Sequence, residues 1–246
     1  MTHVPAWLTA IPVAHRGLHD NATGVPENSI AAFKAAVDAG YGIELDVRLS
    51  ADQQAVVFHD AKLDRLTGRE GMLSEHTAQQ LSAMPLLGTS QRIPLLADVL
   101  QAVNGRTPLL IEVKNYGNSP VGPLEIAVCA ALGPYNGPYA VQSFGPLVVE
   151  WFRVNAPHML RGQIATKPGD MRQLSAAEQR IYAERLEAGI GQPQFIAYDV
   201  THLPSPLTQR ARKAGMPVLT WTVRSPAQWD KAKAHADNLI FEHWRP

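Results

Sequence analysis

Short apolar runs rich in β-branched residues alternate along this chain with longer, Ala-rich stretches in which apolar residues recur at helical spacing. This alternation is typical of a parallel sheet covered by helices. The predicted strands are 11–14, 42–47, 109–113, 140–143, 162–165, 195–199, 218–222 and 238–241. The predicted helices are 29–39, 95–103, 124–132, 146–155, 176–188, 206–214 and 226–234. Eight strands with interleaved helices in 246 residues predict an α/β fold, the (β/α)8 or TIM barrel.

A further apolar run at 55–58 does not fit the barrel count. Only a short polar stretch separates it from the second strand, whereas a parallel crossover needs roughly a dozen residues or more. We therefore predict a hairpin over 47–58 that brings His59 back to the level of Glu44 and Asp46. The segment from about 60 to 94 is then a small insertion, with a helix predicted at 75–83.

Composition and charge narrow the class of protein. With 46% hydrophobic residues the chain can bury one large core, so we expect a single domain over residues 1–246. The formal net charge is zero and no long basic run occurs, so we expect no nucleic-acid partner. No segment approaches the ~20 apolar residues of a membrane span, and the N-terminal segment lacks a basic leader. We therefore expect a cytoplasmic protein, while the choice between monomer and homo-oligomer stays open.

Residues capable of chemistry stand at or just beyond four of the apolar runs. They are His15-Arg16-Gly17, Glu44-Leu45-Asp46, His59-Asp60 and Glu112-Val113-Lys114. Because side chains alternate along a strand, Glu44 and Asp46 point to one side, and Glu112 points the same way as Lys114. Barrel enzymes keep their active sites at the carboxyl ends of the strands, and Mg²⁺ or Ca²⁺ prefers an all-oxygen ligand set. A salt bridge would explain any one carboxylate alone, but the joint pattern favours a divalent cation, with Mn²⁺ as a further option.

The two histidines of these segments, His15 and His59, follow separate apolar runs. Histidine exchanges protons near neutral pH because its unperturbed pKa is about 6.5. The pair therefore predicts a catalytic acid and a catalytic base, without showing which is which. Arg16 offers a planar fork for phosphate oxygens and Lys114 adds a second positive charge, so the expected substrate is a phosphate ester.

Further short motifs accompany the four segments in order along the chain. They are Pro26-Glu27-Asn28-Ser29, Val57-Phe58-His59-Asp60, Asp64-Arg65, Val141-Gln142-Ser143-Phe144 and Thr220-Trp221-Thr222-Val223. In sequence and spacing, the whole set resembles the glycerophosphodiester phosphodiesterases over almost the full chain. The resemblance implies a barrel enzyme in which Glu44, Asp46 and Glu112 hold a divalent cation and His15 and His59 are the acid–base pair. It also implies a glycerophosphodiester substrate, such as glycerophosphocholine or glycerophosphoethanolamine, cut to glycerol 3-phosphate and an alcohol.

Several residues of the motifs have more than one possible role. Glu27 could bind Arg16 or support the metal ligands. We expect Asn28-Ser29 to supply a hydroxyl or amide that caps the following helix rather than to act in catalysis. The last strand ends in Ile240-Phe241-Glu242 where the family usually has Thr-Asp, so Glu242 is predicted to be a structural or supporting carboxylate. The hairpin turn has Asp52-Gln53 where the family often has Asp-Gly.

Three more residues at predicted strand ends are candidates for substrate contacts. Gln142 could hydrogen-bond the ligand or the metal ligands. Trp221 could flank the glycerol or a quaternary ammonium group by cation–π contact, or could simply pack in the barrel. For Phe144 we favour packing.

Two other functions remain as alternatives. One is a phospholipase-D-like or inositol-phosphodiester-cleaving barrel, which would need an exposed apolar rim. The other is a phosphate-ligand binder without catalysis, since a fold alone does not give a function. Retention of His15 together with His59 disfavours the second.

Overall fold

The computed structural model describes residues 4–115, 120–167, 169–171 and 174–246. Along them, the strands are β1 (Val13–Ala14), β2 (Gly42–Leu49), β3 (Ala55–Val57), β4 (Leu109–Val113), β5 (Tyr139–Ser143), β6 (Arg161–Ala165), β7 (Phe195–Asp199), β8 (Val218–Val223) and β9 (Asn238–Phe241). The helices are α1 (Trp7–Ala10), α2 (Ile30–Asp38), α3 (Asp64–Thr67), α4 (Ala78–Ser82), α5 (Leu96–Val103), α6 (Pro123–Leu132), α7 (Pro146–Asn155), α8 (Ala176–Glu187), α9 (Pro206–Lys213) and α10 (Pro226–His235). This succession is that of a (β/α)8 barrel with β3 as an additional strand, which confirms the predicted fold class.

The predicted strands and helices all occur close to their expected bounds. Two short helices, α1 and α3, were not predicted, because four residues are too few to establish an apolar period. The helix predicted at 75–83 is shorter and covers only Ala78–Ser82. It begins late because Thr77 caps it, its side chain accepting a hydrogen bond from the Gln80 backbone N–H at 3.3 Å.

The chain forms two compact units. Residues 14–114 and 122–139 make up one, which we call the N-terminal unit. The described residues within 1–13, 115–121 and 140–246 make up the other, the C-terminal unit.

In the N-terminal unit, β2 lies between β4 and β3. The pairing of β2 with β4 is parallel and sets Asp46 directly beside Glu112. Leu45 and Val47, which alternate with the acidic residues, are fully buried. Burial of both faces is usual for a parallel strand, and the register brings acidic side chains of two strands to one place.

The pairing of β2 with β3 confirms the predicted hairpin. It is antiparallel, with Val47 opposite Val57 and Leu49 opposite Ala55. The hairpin returns the chain to its starting level, because the Phe58 backbone N–H donates to the Asp46 carbonyl oxygen at 3.0 Å. His59, the next residue after Phe58, therefore lies level with Asp46.

The segment 60–94 packs around its own hydrophobic cluster. The buried members are Val56, Phe58, Leu63, Leu66, Leu73, Ala78, Leu81, Met84, Leu86 and Ile93. Since Val56 and Phe58 come from the returning arm of the hairpin, the segment is attached to β3 by apolar packing. This attachment gives α3 a defined position beside His59.

In the C-terminal unit, β5 to β9 are parallel neighbours, each paired with the next strand along the chain. Serine side chains at 175, 205 and 225 accept hydrogen bonds from the first turns of α8, α9 and α10. These caps satisfy backbone N–H groups that have no partner inside a helix. Within the described ranges, no helix is both long and apolar enough to cross a membrane.

Candidate active site

Three buried carboxylates form the centre of the N-terminal unit's candidate site. Glu44 and Asp46 come from β2 and Glu112 from β4, with exposed fractions of 2%, 0% and 6%. One carboxylate oxygen from each lies within 4.8 Å of the others. Gathering buried negative charges is costly unless positive charge compensates them. Because hard oxygen ligands suit Mg²⁺ and Ca²⁺, this cluster fits a divalent cation.

The environment of Glu44 shows how crowded the negative charge is. Burial raises the pKa of Glu44 well above its ordinary value, and the neighbouring carboxylates of Asp46 and Glu112 raise it further. The Arg16 backbone N–H donates to Glu44 Oε2 at 3.0 Å. The Nε2 atom of His15 lies 3.9 Å from the same oxygen. An added cation would therefore relieve the repulsion among the carboxylates around Glu44.

Lys114 supplies buried positive charge between the two strands. Its Nζ atom lies 3.0 Å from Asp46 Oδ1 and 2.6 Å from Glu112 Oε1. Burial of Asp46 acts to raise its pKa, but the positive charge of Lys114, with smaller contributions from neighbouring basic side chains, holds that pKa well below its usual range. Asp46 is thus ionised, as a ligand for a cation must be.

Asn28 holds the carboxylate of Asp46 from the other side. Its Nδ2 donates to Asp46 Oδ2 at 2.8 Å, and the Asp46 backbone N–H donates to Asn28 Oδ1 at 3.3 Å. The expected helix cap comes from the neighbouring hydroxyl, because Ser29 Oγ accepts from the Ala32 backbone N–H at 3.2 Å. The two residues of Asn28-Ser29 therefore have different partners.

Arg16 lies beside this cluster and is oriented by Glu27. Arg16 Nη1 donates to Glu27 Oε1 at 2.7 Å, and its Nε lies 3.3 Å from Asp46 Oδ2. Of the two readings for Glu27, the structure shows the pairing with Arg16. Burial acts to lower the pKa of Arg16, but the carboxylates of Asp46, Glu27 and Glu44 outweigh it and raise that pKa above its ordinary value.

The backbone around Arg16 needs the glycine of its motif. Arg16 has φ of 57° and Gly17 has φ of 78°, both in the left-handed region. A Cβ atom on Gly17 would lie 2.9 Å from Ala32 and from Phe33. Only glycine fits there, so Gly17 allows the chain to turn and present Arg16 to the carboxylates.

His59 is oriented by residues of the hairpin and of the 60–94 segment. Its Nδ1 lies 2.5 Å from Asp60 Oδ1, and Arg48 Nε donates to its backbone carbonyl at 2.7 Å. Arg65 Nε in turn donates to Asp60 Oδ2 at 2.6 Å. Sequence reasoning assigned no role to Arg48, Asp60 or Arg65. For Asp60 and Arg65 a signal was present, since both stand in motifs of the resemblance.

The remaining candidates lie in the C-terminal unit. Gln142 is buried, and its Oε1 has no hydrogen-bond donor among the described residues. Trp221 Nε1 donates to the Ala197 carbonyl at 3.1 Å, and its ring contacts Phe144 edge to face with centroids 5.4 Å apart. This contact agrees with a packing role for Phe144.

Glu242 forms ion pairs with its neighbours at the end of β9. Its Oε2 lies 3.3 Å from Arg224 Nη2, and its Oε1 lies 2.7 Å from His243 Nε2. The structure thus places Glu242 beside two basic side chains, and its structural or supporting role stays a prediction.

Comparison with known proteins agrees with the fold. The fold is similar to that of a phosphodiesterase from Oleispira antarctica in complex with the product sn-glycerol-3-phosphate, with a TM-score of 0.79, 21% identity and coverage of 95% of this chain and 94% of that chain. A glycerophosphodiester phosphodiesterase from Caldanaerobacter subterraneus subsp. tengcongensis is 30% identical over 244 residues, covering 95% of this chain and 94% of the relative. A lysophospholipase D from Rattus norvegicus is 36% identical over 119 residues, 43% of this chain and 37% of the relative.

Fold, site and relatives together define a (β/α)8-barrel hydrolase that acts on phosphodiesters. The model of the glycerophosphoryl diester phosphodiesterase family matches residues 15–243. The chain belongs to this family, and the resemblance found in the sequence is thereby confirmed.

Proposed function

We propose that this enzyme hydrolyses glycerophosphodiesters such as glycerophosphocholine and glycerophosphoethanolamine to glycerol 3-phosphate and an alcohol, using a divalent cation and the histidine pair. The observation that carries the proposal is the convergence of Glu44, Asp46 and Glu112 with Arg16 and Lys114. The product bound to the Oleispira antarctica relative, sn-glycerol-3-phosphate, supports the choice of substrate.

Glu44, Asp46 and Glu112 would hold the cation. We favour Mg²⁺ or Ca²⁺ because all three ligands are carboxylates, and Mn²⁺ is also compatible with such a site. When bound, the cation supplies polarisation of a phosphoryl oxygen and neutralises charge that develops on it.

Arg16 and Lys114 would bind the phosphate group. The guanidinium of Arg16 is held by Glu27 on one edge, so its orientation is set before substrate arrives. Arginine can donate two parallel hydrogen bonds to phosphate oxygens, and Lys114 adds a compact charge. Gln142 and Trp221 are proposed as contacts for the rest of the substrate.

His15 and His59 would move the protons. One histidine removes the proton of a glycerol hydroxyl, whose oxygen attacks phosphorus, and the bond from phosphorus to the alcohol oxygen breaks. The other histidine protonates that departing oxygen. Water then opens the cyclic phosphate, giving glycerol 3-phosphate. General acid–base help of this kind contributes typically about 10²–10⁴-fold.

Two coupled assays run side by side, one for glycerol 3-phosphate and one for choline, test the proposal. The purified protein is incubated with glycerophosphocholine, glycerophosphoethanolamine and lysophosphatidylcholine, each with Mg²⁺, Ca²⁺, Mn²⁺ or EDTA. We expect turnover of the first two with a cation and none with EDTA. Release of choline from lysophosphatidylcholine alone would instead favour the lysophospholipase D activity named for the partial relative.

Variants separate the proposed catalytic histidines from the others. His15→Ala and His59→Ala are expected to lose at least about 10²-fold in kcat/KM. His158→Ala is the matched control, because His158 is exposed and follows α7, outside the site. Full activity in either of the first two variants would contradict the assignment.

A further inference from the structure

We infer that Arg65 is a positioning residue that orients both His59 and Arg16, acting through Asp60 on the first and through Glu27 on the second. The inference rests on the proposed function, since it assigns Arg65 a part in the same reaction. Among the hydrogen bonds of the described residues, those of Arg65 reach Asp60 and Glu27 and neither His59 nor Arg16.

The guanidinium of Arg65 makes two hydrogen bonds to each of two carboxylates. On one edge, its Nε and Nη2 donate to Asp60 at 2.6 and 3.2 Å. On the other, its Nη1 and Nη2 donate to the two oxygens of Glu27 at 2.8 Å each. The planar guanidinium of arginine has five N–H donors and can bind two carboxylates in this way. The ammonium group of lysine cannot make the same set of hydrogen bonds.

Each carboxylate also contacts one of the proposed functional residues. Asp60 Oδ1 lies 2.5 Å from His59 Nδ1, and Glu27 Oε1 accepts from Arg16 Nη1 at 2.7 Å. The result is a continuous series of ion pairs and hydrogen bonds, His59–Asp60–Arg65–Glu27–Arg16. A shift of its central member would therefore move both ends.

The consequence for His59 concerns the tautomer of its ring. An ionised Asp60 accepts a proton-bearing Nδ1, so the neutral ring carries its hydrogen on Nδ1 and turns Nε2 away from Asp60. A carboxylate that orients a histidine in this way is a recurring arrangement in catalysis. Arg65 holds the Asp60 carboxylate in place through its two hydrogen bonds. The consequence for Arg16 is that Arg65 holds both oxygens of Glu27, so Arg16 meets a fixed partner.

The position of Arg65 is set by packing beneath it. Its helix, α3, begins and ends within four residues, and the flanking Leu63 and Leu66 are fully buried in the hydrophobic cluster of the 60–94 segment. The Arg65 side chain itself is 46% exposed. Ion pairs in which one partner is this exposed contribute modestly to stability, so Arg65→Met should stay folded and its loss of activity would not follow from unfolding.

The test compares Arg65→Met, Arg65→Lys and Arg65→Ala with Arg153→Met. Arg153 is the matched control, because its guanidinium also donates twice to one carboxylate, that of Glu150, at 2.8 and 2.6 Å on α7. We expect Arg65→Met to lower kcat at least tenfold and to raise KM, since it disturbs His59 and Arg16 together. Arg65→Lys should recover less than half of the loss, and the control should stay within twofold of the parent.

Two readouts separate positioning from a general structural role. Added methylguanidinium should restore part of the activity of Arg65→Ala, because the half-exposed site is accessible from solvent. By ¹⁵N NMR, the neutral ring of His59 should be the Nδ1–H tautomer in the parent and a mixture of tautomers in Arg65→Met. The NMR readout needs no turnover, so it tests the inference even if no glycerophosphodiester proves to be a substrate. An unchanged His59 tautomer, or kcat and KM of Arg65→Met within twofold of the parent, would overturn it.

Discussion

Asn28 holds Asp46 by two reciprocal hydrogen bonds, from its Nδ2 to Asp46 Oδ2 at 2.8 Å and from the Asp46 backbone N–H to its Oδ1 at 3.3 Å. Both residues are buried. Asp46 stands beside Glu112 in the pairing of β2 with β4, so Asn28 fixes the Asp46 carboxylate next to Glu112 and Lys114. A residue expected to cap a helix thus orients a proposed metal ligand.

Asn28→Asp should therefore destabilise the protein and impair the site. The substitution keeps the shape but replaces a donor with a second carboxylate oxygen facing Asp46. We expect the free energy of unfolding to fall by about 2 kcal/mol or more, because a buried acceptor then lacks its partner. Urea unfolding measures this, with Asn136→Asp at an exposed position as the control, expected within about 0.5 kcal/mol of the parent. Equal stability of the two variants would contradict the role of Asn28.

A divalent cation should stabilise the folded protein through the carboxylate cluster. At a concentration about 100-fold above the dissociation constant, binding to the folded state adds about 2.7 kcal/mol, which corresponds to a rise in Tm of roughly 5–10 °C for a chain of this size. Differential scanning fluorimetry with Mg²⁺ or Ca²⁺ against EDTA measures the shift. Glu112→Gln should abolish it, because one of the three ligands loses its charge. A shift of the same size in Glu112→Gln would mean that the cation binds elsewhere.

Acid should remove the stability that Arg65 provides. The pKa values of Glu27 and Asp60 lie below their ordinary values, since hydrogen bonds from Arg65 and from other basic neighbours outweigh the opposing effect of burial. A carboxyl group whose pKa is lower in the folded than in the unfolded state stabilises the fold. This stabilisation is complete above the pKa of the unfolded state, about 4, and it is lost as the pH falls through the pKa of the folded state.

The difference in unfolding free energy between the parent and Arg65→Met should consequently shrink as the pH falls from about 6 to about 2.5. Glu44, whose pKa is raised by burial, has the opposite dependence, but it is present in both proteins and cancels in the difference. Urea unfolding across this pH range gives the result. A difference that does not change with pH would show that Arg65 acts through packing alone.

Gln53→Gly should stabilise the hairpin. Gln53 has φ of 61°, in the left-handed region that favours glycine, at the turn where Ser50 N–H donates to the Gln54 carbonyl at 3.0 Å. Relief of backbone strain, offset by the greater chain entropy of glycine, should raise the free energy of unfolding by about 0.5–1 kcal/mol. The urea midpoint at constant m measures it. Gln54→Gly, at a position without positive φ, is the control and should be destabilising; stabilisation by both would refute the explanation.

Much of the fold was determined by sequence alone, because it depends on local pattern. The apolar runs predicted the strands, and apolar residues at helical spacing predicted the longer helices. The hairpin was predictable from the length of its connection, because the stretch 50–54 is too short for a crossover to a parallel strand. The side to which Glu44 and Asp46 point followed from the two-residue period of a strand.

Only the tertiary structure decided which side chains meet. Nothing local distinguishes Asn28 from Ser29 as a helix cap, and the choice depends on Asp46, 18 residues away. Arg65 joins Glu27 across 38 residues, and it can do so because buried leucines attach α3 to the hairpin. Such pairings depend on which residues the packing brings close together in space. The local order of residues along the chain does not reveal this. The sequence determined the strands and the chemistry they carry, and packing determined the partners that orient each group.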